Sequence, residues 1–370
     1  MPRIFPLSLL TLCIAFSGCM PMRFLTLGLP DEKDPMRFPR QDIAASARPF
    51  YFRTSADTTW GQRLKVGDWT PNGGRFAGIA EVAAAHATTA LLIVRNDTLL
   101  YEGYYNGFGP DDRLTSYSVA KSCVSALVGI ALQEGKIRSL DQPITDFLPE
   151  WAPKKGFAEI RVRDLLNHTS GLRYRNVVDG HLYYGNQVRR GIRAARVAEP
   201  PGKRQFYLNL NAQLLGMVVE RAVGQDFTDY FEKRIWQKIG AESPAFWSAD
   251  RRGQAKTFCC LNAIARDFAK LGRLYLRGGD WEGDQVLPRE WVEQTLQADT
   301  TRGGSPGYHF CWYLGSARYR DFMAIGMYKQ YVYVCPDKQI VIVRLGLREP
   351  RVSQERIQWE SLFRDLVDQL

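Results

Sequence analysis

Histidine is scarce in this chain. Only His86, His168, His181 and His309 occur in 370 residues, with no H-E-x-x-H element and no clustered pair. A zinc site is therefore not expected, and neither a metal nor any other cofactor is assigned. Cysteine offers no framework either. Beyond the N-terminal segment there remain Cys123, Cys259, Cys260, Cys311 and Cys335, an odd number without C-x-x-C spacing, which argues against a disulfide framework as well as against zinc. After the first residues no stretch is apolar for long enough to span a bilayer. The formal net charge is +10, yet no basic run is interleaved with aromatics. Short pairs such as Arg189 with Arg190, or Arg251 with Arg252, read as solvated faces, so nucleic acid is not an expected partner. Internal repeats and low-complexity segments are missing too.

What is present begins with an address. The chain opens with MPR, continues with the apolar run IFPLSLLTLCIAF and reaches SGC, ending at Cys19. A basic start, an apolar core and small residues before the cut describe a signal peptide over residues 1–18. The cysteine just after them is expected to be the lipidated first residue of the mature chain, although Phe16 stands where a lipobox usually has leucine. Met20, in place of aspartate, leans towards the outer membrane of a Gram-negative cell. The expected partner is then a membrane, reached through a lipid anchor on a periplasm-facing protein.

From 19 to 74 the sequence is rich in Pro, Arg, Gly and aromatics and reads as an anchor followed by an extended arm. Residues 75–370 read as one domain. TTALLIVRND and TLLYEGYYNG form a hairpin turning at Asn96 and Asp97. Amphipathic helices dominate residues 136–300, with a long irregular stretch, expected to be a lid or binding loop, at 173–204. YHFCWYLG, DFMAIGM, QYVYVCPD and KQIVIVRLG then form an antiparallel meander, and a final amphipathic helix closes the chain. The expected fold is α+β: an antiparallel sheet built from both chain ends, flanked by helices, with an inserted helical subdomain.

The chemistry concentrates in LTSYSVAKSCVSALVGIALQEGKI. Its apolar run from Val119 to Leu132 has almost no polar face, so it predicts a buried helix starting near Ser118, with Thr115 or Ser116 as N-cap and Gly135 as the stop. Residues three apart share a helix face, which places the Lys121 amine beside the Ser118 hydroxyl. A desolvated lysine loses its proton near neutral pH, and backbone N–H groups at a helix start stabilise an oxyanion. These are the parts of acyl transfer. GGSPG from Gly303 fits the G-x-S-x-G pattern of a nucleophile elbow but lacks the strand before it and the helix after it, so it reads as a loop.

SVAK at Ser118, LLNHTSGL from Leu165, YLN at Tyr207 and AIGMYKQYVYV from Ala324 resemble, in this order, the serine beta-lactamase-like superfamily, above all its class C, family VIII esterase and 6-aminohexanoate-dimer hydrolase branches. The resemblance implies Ser118 as nucleophile, Lys121 as its base and Tyr207 as proton relay, the phenol needing a cationic neighbour to lower its pKa. YRN at Tyr174 and YGN at Tyr184 fit the bare Y-x-N pattern equally, and only the family's placement of the element, after PPGK and before a helix, selects Tyr207. Asn209 and Gly326 are then expected to face substrate, with Tyr183 and Tyr184 lining the cleft. The N–H groups of Ser118 and Met327 are expected to form the oxyanion hole. His168 reads as a structural hydrogen-bonding residue. One departure stands out, because Ala324 occupies the place of the lysine in the family's K-T-G element, which helps recognise a substrate carboxylate. Small esters or amides are therefore expected substrates, with a beta-lactamase or DD-peptidase, or a non-catalytic binding member of the fold, as the competing readings.

Overall fold

In a computed structural model describing residues 28–66, 78–174, 177–349 and 357–370, the main sheet has eight strands. These are β1 (Arg53–Thr54), β2 (Thr88–Arg95), β3 (Thr98–Tyr104), β4 (Tyr308–His309), β5 (Trp312–Leu314), β6 (Phe322–Gly326), β7 (Gln330–Cys335) and β8 (Ile340–Gly346). The spatial order is β4-β5-β6-β7-β8-β2-β3-β1. Neighbours run antiparallel except at the edge, where β1 pairs parallel with β3. The two ends of the chain thus meet at the centre, β8 against β2. The proposed signal peptide and Cys19 lie outside the described residues.

Local chemistry explains the strands. Asn96 and Asp97 adopt left-handed backbone, φ 48° and 59°, the conformation that a two-residue hairpin turn between twisted strands requires. β8 is buried along its whole length, as a near-continuous apolar run predicts for a central strand covered on both faces. Val341, Val343 and Leu345 join the core on one face, while Ile340 and Ile342 join the core on the other. The first face is covered by α1 (Ala120–Gln133) and, later in the chain, by Ala265–Leu276; the second by the C-terminal helix Trp359–Gln369.

Every residue of α1 from Ala120 to Ala131 is buried, in keeping with its apolar circumference. Gly129 allows the Trp291 indole to lie against the helix, since a Cβ there would sit 2.4 Å from the ring. The helix ends at Glu134, followed by Gly135 at φ 68°. Its start differs from expectation. Tyr117–Val119 form a 3-10 turn that leads into α1, and neither Thr115 nor Ser116 caps it through a side chain. The Ser116 hydroxyl instead donates to Tyr117 O and accepts from the Leu261 N–H.

The stretch 173–204 is more ordered than its sequence suggests. It contains α2 (Val177–Tyr184), the helix Val188–Ile192, and strand pairing of Leu172–Arg173 with Arg196–Val197. The arm is likewise knitted in: Arg40–Ile43 pairs with Ala245–Ser248 in a second, four-stranded sheet that also holds Leu114–Thr115, just before the turn of Ser118. Cys259 and Cys260 form a disulfide. This corrects the expectation only locally, since a bond between sequence neighbours closes no loop between distant segments. No helix among the described residues is long and apolar enough to cross a membrane.

Candidate active site

The Ser118 side chain is half-buried, set on the 3-10 turn where Tyr117 takes φ 42°, an uncommon backbone for an aromatic residue and a feature that clusters at functional sites. Lys121, one turn on, is 1% exposed. Its Nζ donates to Ser118 Oγ at 2.7 Å, to Asn209 Oδ1 at 3.0 Å and to Phe258 O at 2.7 Å. These use all three donors of an ammonium. Burial lowers the Lys121 pKa to about 7, partly opposed by the negative charge of Asp179. After losing one proton the amine keeps two donors, enough for Asn209 and Phe258, and turns its lone pair to the serine hydroxyl. The site thus holds a lysine poised between acid and base beside a serine.

Tyr207 arrives from the loop just before α3 (Asn209–Val223). Its hydroxyl lies near enough to the Ser118 side chain for that group to lower its pKa, and the Lys121 Nζ lies 5.0 Å from its ring centroid. The expected acidification of the phenol is not found. Withdrawal of the hydroxyl from water, the largest effect, and the neighbouring Tyr313 raise its pKa and outweigh the lowering by Ser118, although the residue as a whole is 40% exposed. The resting pair is a protonated phenol beside a readily deprotonated amine. The other Y-x-N tyrosines go elsewhere: Tyr174 donates to Asp179 Oδ1 at 2.8 Å, and Tyr184 to Gly28 O at 2.6 Å.

His168 lies directly under Tyr207, with ring centroids 4.3 Å apart and planes 24° from parallel. Its Nδ1 accepts from the Leu208 N–H at 3.1 Å, and Asn211 Nδ2 is also 3.1 Å from it. That leaves Nε2–H to meet Tyr308 Oη, at 3.1 Å. Burial, then the nearby Lys121 charge, push the His168 pKa down to about 3. The ring is a neutral platform that holds Tyr207 from below and Leu208 from beside. The helix Val162–Leu166 ends at Asn167, and His168 follows it at φ 56°.

Asn209 touches Lys121, and its Nδ2 donates to Asp179 Oδ1 at 3.1 Å. Gly326 ends β6 against the turn Tyr117–Val119, where a Cβ would lie 2.4 Å from Ser116 O. This brings the first residue past the strand, Met327, to the rim of the site with its side chain 49% exposed. The turn Met327–Lys329 carries two left-handed residues, Tyr328 and Lys329 at φ 60° and 65°. The buried Arg344 guanidinium holds it by donating to Tyr328 O and Lys329 O at 2.7 and 2.8 Å. Ala324 is buried, its methyl in an apolar pocket with Val119 and Cys123, so no cation stands there.

Tyr183 and Tyr184 require correction. Both are buried, and their hydroxyls donate to Asp34 Oδ2 at 3.0 Å and to Gly28 O. They clamp the N-terminal arm with their hydroxyls, and neither is open to a ligand at its surface. Asp179 and the Phe258 carbonyl, both close to Lys121, were not singled out by the sequence. A backbone carbonyl carries no sequence signature, and Asp179 belongs to no recognised motif.

Comparison with known proteins follows this geometry. The chain is 28% identical over 286 residues to a 6-aminohexanoate-dimer hydrolase of Paenarthrobacter ureafaciens, covering 70% of this chain and 72% of that protein. It is 27% identical over 225 residues to esterase EstB of Burkholderia gladioli, covering 56% of each. A solved structure from Bacillus anthracis, provisionally named a 6-aminohexanoate-dimer hydrolase, superposes with TM-score 0.76 at 22% identity, over 90% of both chains. The beta-lactamase family model matches residues 76–363, and the chain accordingly belongs to the beta-lactamase family of hydrolases.

Proposed function

We propose that this protein hydrolyses ester or amide bonds of small substrates through an acyl-enzyme on Ser118. The observation that carries the reading is the contact of Lys121 Nζ with Ser118 Oγ at 2.7 Å, in a pocket dry enough to bring the amine pKa to about 7. The neutral amine takes the serine proton as Oγ attacks the carbonyl carbon. The N–H groups of Ser118 and Met327 receive the oxyanion. Tyr207, held protonated, gives its proton to the departing alcohol or amine and is reprotonated from the Lys121 ammonium. Water then attacks the ester of Ser118, losing its proton along the same path, and the serine leaves. Names of the relatives support ester and amide chemistry, and the buried methyl of Ala324 weighs against carboxylate-bearing lactams.

Labelling with a fluorophosphonate tests this. The expected result is a covalent adduct on Ser118, lost in Ser118→Ala, with Tyr207→Phe lowering turnover of an ester and amide panel by about 10²-fold or more. No adduct and no turnover would leave a binding member of the fold. Turnover of a chromogenic cephalosporin with negligible ester cleavage would point to a beta-lactamase or DD-peptidase instead. The envelope address is proposed on residues 1–19 alone. Incorporation of labelled palmitate, abolished by Cys19→Ala, is its expected signature.

A further inference from the structure

We propose that the N-terminal arm, residues 28–38, is a wall of the substrate cleft, and that its Leu29 selects for an apolar group on the acyl side of the scissile bond. The proposal deepens the acyl-enzyme reading and rests on it for the identity of the nucleophile.

The arm is fixed at defined points by tyrosines remote in sequence. Tyr184 Oη donates to Gly28 O at 2.6 Å and Tyr328 Oη to Pro30 O at 2.5 Å, so the carbonyls on both sides of Leu29 are held. Tyr183 holds the fully buried Asp34. Phe38 packs edge-on against Tyr183 at 5.3 Å, with Lys256 Nζ 3.5 Å from its own ring centroid. Despite this anchoring Leu29 is 45% exposed. A leucine pinned on both sides and still open to solvent is a surface held ready for an apolar group.

Its position gives that surface a use. Tyr328, which holds Pro30, follows Met327 in sequence and packs edge-on against Tyr117 at 5.3 Å, and Tyr117 precedes Ser118. Pro30, the neighbour of Leu29, is therefore tied to the turn that carries the exposed Met327 and, through Tyr117, to the turn of Ser118. The departing group must lie towards Tyr207, which protonates it, and this leaves the acyl portion on the side of Met327 and Leu29. Only six large apolar side chains are exposed among the described residues, Leu29, Met36, Tyr51, Phe206, Tyr207 and Met327. Two of them, Leu29 and Met327, lie on the two segments that Tyr328 joins, and no cation replaces the alanine at position 324.

The test compares 4-nitrophenyl hexanoate with 4-nitrophenyl acetate. Leu29→Ala is expected to lower the hexanoate-to-acetate ratio of kcat/KM about fivefold and Leu29→Asp further, since each buried methylene is worth roughly a few-fold in affinity. Leu29→Met should restore the ratio, and Met36→Ala, an exposed change on the same arm, should leave it unaltered. A second readout needs no turnover: binding of hexanoyl 4-nitroanilide to Ser118→Ala, by calorimetry, should weaken by a similar factor when Leu29→Ala is added. Leu29-dependent binding without any acylation of Ser118 would uphold the wall and sink the acyl-enzyme. Acylation of Ser118 with a chain-length ratio indifferent to both Leu29 variants would overturn the wall alone.

Discussion

Two side chains determine the ionisation of the site. The Lys121 pKa of about 7 comes from burial, and only the neutral amine can accept the serine proton. The rate constant kcat/KM for an uncharged ester should therefore rise with pH through about 7 and level off above it, as a profile from pH 5 to 9 would show. A limb at that pH is usually given to histidine. Here His168 stays neutral down to about pH 3, by burial and by the Lys121 charge, and cannot be its source. His168→Ala removes the stack under Tyr207 and the acceptor for Leu208 N–H. It should lower kcat about tenfold with less change in KM, cost about 1–3 kcal/mol of stability, and leave the limb near pH 7 in place. Loss of the limb in that variant would return the base to the imidazole.

At the scale of elements, the site is where a strand end meets the start of a helix. β6 approaches the Tyr117–Val119 turn closely enough that a methyl on Gly326 would lie 2.4 Å from Ser116 O. The backbone of Gly326, at φ −121°, is open to any residue, so the constraint is space alone. Gly326→Ala should push the strand end from the turn, displacing Met327 N–H from the oxyanion position proposed for it. Losing one such donor costs about 10²–10³ in kcat, and a steady-state assay of the folded variant would measure it. Kinetics unchanged from the parent would show that Met327 N–H has no part in the reaction. The spacing of Ser118 and Lys121 within one helix turn was legible from sequence because it is local. The approach of β6 was only suggested by resemblance, since it depends on how the sheet packs on α1.

Across the whole molecule, the N-terminal hairpin is tied to the helix Ala265–Leu276 through Asp97. Arg273 Nε and Nη2 donate to the two Asp97 oxygens at 2.7 and 2.9 Å, and Arg277 adds a third contact at 3.3 Å. Burial alone would raise the Asp97 pKa, but the Arg273 hydrogen bonds and charge outweigh it and hold the carboxyl below its ordinary value. A depressed folded-state pKa means stability present above about pH 4 and lost as pH falls through the folded value. Asp97→Asn should cost about 1–3 kcal/mol at pH 7, and the gap to the parent should close below pH 4, as denaturant unfolding at the two pH values would reveal.

The sequence by itself determined what depends on neighbours along the chain. Periodicity separated the terminal strands from the central helices, Asn96 and Asp97 marked the hairpin, and S-x-x-K spacing put the amine beside the hydroxyl. Resemblance to the family had to choose Tyr207 over Tyr174 and Tyr184, which spacing leaves equal, and tertiary structure alone decided that Tyr174 meets Asp179 and that Tyr183 and Tyr184 hold the arm. It also recruited the Phe258 carbonyl to Lys121, across 137 residues of sequence. The division has a physical cause. Side-chain spacing within a helix turn follows from backbone geometry, whereas a contact between distant segments exists only once the core has packed, and a carbonyl is the same group in every residue.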